Sequence, residues 1–399
     1  MEIWKKNLWV CWFAVFIVSS GMSQMAPILP LYIDHLGIHD AASIAKWSGI
    51  VFGSNFISLA IFSPIWGKYA DKYGRKSMIL RASLWLSIIM TSMGFVENVY
   101  QLTGLRILQG ALSGFQSAVV TLVATQTPTE RVGWALGIIF SGQVGGTLLG
   151  PLFGGYLAEV IGFREDFIIV GAMCFIAFIA SFLLIKEQKS AKKQEVLNFH
   201  QVWKCLPNPK VTVCLFITTL VLQLSLMSIQ PIITVYITQL SSDTSHIALI
   251  SGGVFAASGL ASILAAPRLG RLSDKIGPQK VLLAALIVAG VLFIPQAFVK
   301  HSWQLGILRF LLGLATAGLL PSINSLIKQS TTDAITGRAF GYNQSAQYFG
   351  VFIGSILGGQ MAAAFGIQYV FFFTGALLLM NALWVYHSIY KEKIHCDSR

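Results

Sequence analysis

The chain has little charge. Asp, Glu, Lys and Arg make up 11% of its 399 residues, where a soluble domain carries about 25%. The charges are also clustered, leaving long apolar stretches between them, and mean hydropathy is +0.70. A run of about 20 apolar residues crosses a bilayer as a helix, because no water is present there to satisfy backbone N–H and C=O groups. The scarcity of charge therefore excludes a soluble domain and implies an integral membrane protein. The runs are too long and unbroken for the alternating strands of a membrane barrel, each about ten residues.

Cysteine is also scarce, with five residues in all. Cys11, Cys174 and Cys214 fall in apolar runs. Cys205 and Cys396 are assigned to the cytoplasmic side. No extracellular pair exists, so no disulfide framework is implied. Zinc-ligand spacings, a Walker loop and a nucleophile elbow are all missing. The expectation is a protein that is not an enzyme and has neither cofactor nor metal. ATP-driven transport would need a nucleotide domain or a separate subunit.

Twelve apolar spans are present: roughly 8–33, 46–66, 78–96, 101–124, 134–157, 167–185, 211–237, 246–267, 280–299, 303–327, 338–362 and 368–389. The first follows MEIWKK and is too long for the h-region of a signal peptide, so it reads as a retained anchor. The positive-inside rule orients the chain. With both termini in the cytoplasm, 23 of the 28 Lys and Arg lie inside, Arg81 among them; Lys46, Arg164 and Lys300 lie outside, and Arg106 and Arg309 fall within spans. The net charge of +12 is thus an orientation signal and gives no reason to expect nucleic acid as a partner.

The chain also repeats itself. PILPLYI at residue 27 answers to PIITVYI at residue 231, with Tyr32 and Tyr236 204 positions apart. GKYADKYGRK (67–76) answers to GRLSDKIGPQK (270–280), LTGLR (102–106) to LGILR (305–309), and GWALG (133–137) to GRAFG (337–341). GTLLGPLFGG (146–155) answers to GVFIGSILGG (350–359). Every landmark keeps an offset of 203 or 204 positions. The chain therefore reads as two six-helix bundles in the same orientation, residues 1–185 and 211–399, joined by a cytoplasmic linker, 186–210. Within the linker, VLNFHQVW is either a short interfacial helix or solvated chain. Parallel halves around a midplane site are an architecture of secondary transporters.

These motifs resemble the major facilitator superfamily. Gly67, Asp71, Lys72, Gly74, Arg75 and Lys76 are similar to its signature in the loop after span 2. Arg106 in LxxxRxLQG resembles its span-4 motif. Gly146, Gly150, Pro151, Gly154 and Gly155 match the span-5 pattern of its proton antiporters. PxxPxYxxxLG, from Pro27 to Gly37, resembles the twelve-span drug:proton antiporter family, including bacterial multidrug exporters. The likeness covers essentially the whole chain. It implies an all-α fold of twelve transmembrane helices in two pseudo-symmetric bundles. It also implies proton-coupled export of amphipathic drugs or toxic compounds by alternating access, with spans 1, 4, 7 and 10 around the cavity.

Read as chemistry, Gly67 and Gly74 permit a tight turn. Asp71 is an acid kept among bases. It either caps a helix or pairs across the halves as a latch, or the bases around it only set topology. Arg106 heads a polar stripe with Gln109, Ser113 and Gln116. It either serves proton transfer, as the resemblance implies, or snorkels to the cytoplasmic interface. Arg309 heads a similar stripe with Gly313, Thr316 and Asn324. The small residues of span 5 allow close helix approach, and Pro151 bends the helix; Ser355 replaces it in the second copy.

Acids are missing from the middle of the spans. Asp34, at the outer end of span 1, is the first titratable candidate for proton coupling, alongside Arg106. Glu159, at the outer end of span 5, is the second. Either Asp34 titrates in transport or it is a solvated loop residue. This lack argues against a strict preference for strongly cationic substrates. The expected cavity is apolar with uncharged points: Gln24, Gln109, Gln116, Gln223, Met227, Gln230 and Asn324, with Asn343, Gln344 and Gln347 close by. Each amide either contacts substrate or makes an interhelical hydrogen bond. Expected partners are small amphipathic substrates, protons and membrane lipid, for a monomer. Export of a specific metabolite, sugar or lipid precursor is the alternative. A non-transporting sensor should have degraded loop and bend motifs, and both are intact here.

Overall fold

Backbone that cannot reach water closes its hydrogen bonds on itself, and the chain is helical accordingly. The computed structural model describes residues 2–187, 209–241, 246–331 and 333–390. Among these residues there is no strand. The first half comprises α1 (Ile3–Ser23), α2 (Met25–His35), α3 (Ala41–Tyr73), α4 (Arg75–Met93), α5 (Val99–Ala111), α6 (Phe115–Gln126), α7 (Val132–Val160) and α8 (Phe163–Leu184). The second half comprises α9 (Pro209–Ile229), α10 (Ile233–Leu240), α11 (Ile247–Ile276), α12 (Pro278–Gln296), α13 (Ser302–Thr316), α14 (Leu319–Gln329), α15 (Asp333–Phe365) and α16 (Ile367–Val385).

These sixteen helices make twelve crossings, because spans 1, 4, 7 and 10 are each broken in two. Hydropathy alone reads all twelve as continuous. Ten crossings are long and apolar enough to span a membrane, and the pair α1/α2, bent by 44°, makes an eleventh. The twelfth is α4, which carries Arg75, Lys76 and Arg81 and is diluted by them. It still occupies a bundle position, packed along α8 and α6. The segment VLNFHQVW lies outside the described residues.

The turn between α3 and α4 is a single residue. Gly74 has φ 91, a left-handed conformation open mainly to glycine. Gly67 was expected to share this turn, but α3 stays helical through Tyr73, so Gly67 is a helix residue. At 33 residues, α3 rises about 50 Å and projects past a hydrocarbon core of about 30 Å. Gly277 repeats the turn between α11 and α12 with φ 94. Pro278, in place of Arg75, takes the first position of α12, where its missing N–H is no loss.

The sequence repeat has a packing basis. Tyr32 donates its hydroxyl to the Met93 carbonyl at 2.6 Å, and its ring lies 5.0 Å from Phe167. Tyr236 donates to the Gln296 carbonyl at 3.1 Å, with its ring 5.2 Å from Phe371. In both halves a tyrosine from the first span ties down the end of the third and packs at a tilt against the start of the sixth.

Two crossings join the halves, α3 with α15 and α7 with α11. A Cβ on Gly49 would strike the carbonyl oxygen of Ser355, and one on Gly252 would strike that of Pro151. Gly49 and Gly252 are equivalent positions of the repeat. The contacts lie toward the end of the bundle opposite the termini, called here the far end. There Thr234 Oγ1 also donates to the Pro27 carbonyl at 2.9 Å. The halves are closed against each other at the far end. Overpacking such a contact costs about 1–3 kcal/mol. Gly252→Val is therefore expected to raise maleimide labelling of a cysteine placed at Thr234, in a cysteine-free background, by about tenfold. An unchanged rate would show that this crossing does not close the far end.

Candidate functional site

A helix broken at mid-depth leaves N–H and C=O groups without intrahelical partners, and neighbouring side chains must supply them. The break between α5 and α6 shows how. Trp66 Nε1 donates to the Ala111 carbonyl at 2.6 Å. Arg81 Nη2 donates to the Ser113 carbonyl at 2.7 Å, and its guanidinium sits 3.3 Å over the Trp66 ring. Gly114 accommodates the bend with φ 112. Arg81, counted from sequence among the cytoplasmic bases, is instead a strut of this break.

Arg106 lies on α5, on the far-end side of that break. Only 2% of it is exposed, so it does not snorkel to an interface. Its Nη1 donates to Gln109 Oε1 at 2.5 Å, its Nε reaches the Val51 carbonyl at 3.5 Å, and the Phe52 ring lies 5.9 Å away. Gln109 Nε2 in turn donates to Met22 Sδ at 3.0 Å. Spans 1, 2 and 4 therefore meet at one buried cation. In the second half Arg309 lies 5.8 Å from the Phe293 ring, and its Nε and Nη2 are buried without hydrogen-bond partners among the described residues.

Several amides expected to line the cavity are turned inward. Gln24, Gln109 and Gln223 are buried. Gln24 Nε2 donates to Asp166 Oδ2 at 3.0 Å, and Gln116 Nε2 donates to Gln143 Oε1 at 3.0 Å. Asn343 Nδ2 donates to Asn324 Oδ1 at 3.4 Å. Interhelical pairing is the simpler demand on an amide away from water, and these three meet it. Gln230 and Met227 stay partly exposed, and Met227 packs against the core of the other half. Gln344 is exposed and Gln347 partly so.

The span-5 motif has two working faces. A Cβ on Gly146 would meet the Phe16 carbonyl, one on Gly150 Ser20 and Ser23, and one on Gly154 Gln24. This face packs on span 1. On another face, Gly155 lies against the Ala248 carbonyl and Pro151 lies against Gly252, so the same helix packs on α11 of the second half. In the second copy Gly350, Gly354 and Gly358 approach α9, and Gly359 approaches Ala45 of α3.

The Asp34 side chain is 52% exposed and lies 2.8 Å from His39 Nδ1, at the far-end rim and away from Arg106. Glu159 accepts from the Leu249 backbone N–H at 3.0 Å and lies 3.3 Å from His246 Nδ1. It caps the start of α11 and bridges the halves. Sequence reading missed Asp166, which is fully buried one turn inside α8. Hydropathy starts this span at residue 167. Gly162 followed by acids in the first helical turn was the available signal, and it puts Asp166 on the buried face of Val170 and Cys174.

In the signature loop, the side chains of Asp71 and Lys72 lie outside the described residues. The start of α4 is held by Glu187, which follows α8. Its carboxylate accepts from the backbone N–H groups of Arg75 at 2.7 Å and Lys76 at 2.8 Å. Lys76 Nζ donates to the Phe182 carbonyl at 2.9 Å. The turn between spans 2 and 3 is thereby clamped to the end of span 6. Glu187→Ala removes two cap bonds, a loss of about 1–2 kcal/mol. Hydrogen exchange at Arg75 to Ser77 is expected to accelerate by about tenfold. Unaltered protection at those amides would remove the clamp.

The comparisons with known proteins agree with this architecture. The family model described as Major Facilitator Superfamily matches residues 11–253 and again 215–395. "Multidrug resistance protein MdtG" of Salmonella typhimurium is 42% identical over 392 residues, covering 98% of this chain and 97% of that protein. The protein of the same name from Dickeya zeae is 42% identical over 390 residues, covering 98% and 96%. Among solved structures, a bacterial homolog of the human lysosomal transporter Spinster, inward-facing and occupied, superposes with a TM-score of 0.82 at 14% identity, covering 98% of each chain. The nucleoside transporter NupG gives a TM-score of 0.79 at 14% identity, covering 97% of this chain and all of that one. The chain belongs to the major facilitator superfamily and is a multi-pass membrane protein with that family's twelve-helix fold.

Proposed function

We propose that the chain is a proton-driven antiporter that exports amphipathic compounds across the bacterial cytoplasmic membrane. The observation that carries this reading is the 42% identity to multidrug resistance proteins across 98% of the chain. The geometry supports it physically. The four broken spans lie at equivalent places in the two halves, and discontinuous helices near mid-depth are where secondary transporters build their sites. The span-5 glycine run faces broken span 1 on one side and the other half on the other, so a change at one surface is felt at the second.

In this reading residues 1–185 and 211–399 are the two rocking units and 186–210 is their tether. The terminal end faces the cytoplasm. Without Arg81, 22 Lys and Arg remain on that side against three on the far side, and the positive-inside rule decides the orientation. The closed far end is then the outer gate, with Glu159 capping α11 as one of its clasps. The substrate meets partly exposed apolar and amide groups such as Met227 and Gln230, surfaces that re-pack around varied ligands. Arg106 sets the field and hydration of the first half, acting through a neighbour's proton while keeping its own. The protein works as a monomer in lipid, on protons and small amphipathic substrates.

Purified protein in vesicles with an imposed pH gradient is expected to move amphipathic probes uphill, and a protonophore to stop it. Transport that survives the protonophore but fails on ATP depletion would overturn the antiport reading. Arg106→Ala is expected to abolish gradient-driven transport at matched expression. Arg106→Lys should restore only part, because an ammonium lacks the planar fork that spans Gln109 and the Val51 carbonyl. Full activity in Arg106→Ala would remove that residue from coupling.

A further inference from the structure

Among the described residues, Asp166 stands out as a carboxylate buried within a span. It is 0% exposed. Its Oδ2 accepts from Gln24 Nε2 at 3.0 Å, while its Oδ1 has no hydrogen-bond partner. A carboxyl with one satisfied and one orphaned oxygen, away from water, is favoured as a neutral acid that carries its proton on the orphaned atom. We propose that Asp166 is the proton-carrying group of the transport cycle and that Gln24 positions it. This inference rests on the antiport reading above and names the site at which the proton rides.

The internal repeat shows that packing does not require an acid here. Phe167 and Phe371 are equivalent, each packed at a tilt against its tyrosine at 5.0 and 5.2 Å. The residue before Phe371 is Val370, also 0% exposed. The second half thus builds the same helix junction with a hydrocarbon side chain. Gln24 has Ser228 as its counterpart, and Ser228 pairs with the Thr374 hydroxyl at 2.7 Å, an uncharged bond. The ionisable member, Asp166, belongs to one half only.

Gln24 is well placed to connect protonation with movement. It is the residue at the bend between α1 and α2. A Cβ on Gly154 would strike its side chain, so the last antiporter-motif glycine on this face is the space in which Gln24 sits. Among the described residues, no other charge neutralises Asp166. Arg164 and Glu165 on its own helix are exposed. On α2, Tyr32 donates to Met93, His35 packs at a tilt against Phe163 at 5.9 Å, and Asp34 pairs with His39. On α7, Glu159 is turned to α11. The facing stretches of α1 and α4 carry no titratable group beyond buried Cys11. With the far end closed, Asp166 holds its proton on Oδ1 while Gln24 bonds Oδ2. When the far-end helices part, water reaches the pair and exchanges the proton with that side. Loss of the proton leaves a charge that needs hydration, and the bend at Gln24 must shift to provide it.

Two measurements test this. Infrared difference spectra of the full chain in lipid, over a pH titration, are expected to show a protonated carboxyl C=O band that Asp166→Asn abolishes and Asp34→Asn leaves in place. A band unchanged in Asp166→Asn overturns the proposal. In proteoliposomes with ethidium as probe, Asp166→Asn is expected to fall to the protonophore-treated level under a pH gradient while ethidium exchange down its own gradient persists. If wild type is gradient-driven and Asp166→Asn is equally so, the proposal falls and antiport stands. If wild type ignores the gradient, the antiport reading fails instead. Asp166→Val, which leaves the buried Gln24 amide without its acceptor, is expected to purify folded with a lowered Tm. Unfolding of both variants would mark Asp166 as structural and overturn its role as proton carrier.

Discussion

In hydrocarbon an unpaired amide finds no water, so a helix can break only where its neighbours supply donors and acceptors. That constraint organises this molecule. Sixteen helices arise from twelve crossings because four crossings are interrupted, and each interruption has to be supported locally. At the span-4 break, Trp66 and Arg81 take the two freed carbonyls. At the span-7 break the backbone tightens into a 3-10 turn over Gln230–Ile232. The supports come from adjacent helices, so the position of each break is tied to the packing around it.

Close approach is the second consequence. Between helices already surrounded by apolar lipid, burial of hydrocarbon provides little drive, and contact surfaces use small residues instead. α7 presents glycine to span 1 within its own half and to α11 across the interface. α15 repeats this with α9 and α3. The interface between the halves is consequently made of backbone against backbone at Gly49 and Gly252. Such surfaces can separate and rejoin as rigid bodies without repacking large side chains, as rocking transport needs.

The two halves share a scaffold and differ in charge. Tyrosine, phenylalanine and carbonyl repeat in register at the ends of spans 1, 3 and 6, and again at 7, 9 and 12. Only the first half adds Arg81, the Arg106–Gln109 pair and Asp166. The second half keeps Arg309 but places Val370 and Ser228 where the first has Asp166 and Gln24. The repeat therefore fixes the scaffold, and its local violations are where the ionisable side chains of the two halves differ.

Membrane residence, twelve crossings and the twofold repeat were legible in the sequence, because lipid demands long apolar runs and a constant offset of 203 or 204 positions survives any folding. The close approach of the span-5 glycines was legible for the same reason: a side chain absent from the sequence is absent from the contact. The breaks in spans 1, 4, 7 and 10 were hidden, since a hydropathy window averages over them. Arg81 looked like an orienting base because its helix starts among bases, and only its stacking on Trp66 places it at a break. Asp166 looked like loop for the same reason in reverse. Its burial is set by which face α8 turns to α1 and α4, and its partner Gln24 lies 142 positions away. Composition and periodicity determine which segments enter the membrane. Which side chains meet inside it is a long-range matter of helix rotation and contact, and only the tertiary structure decides that.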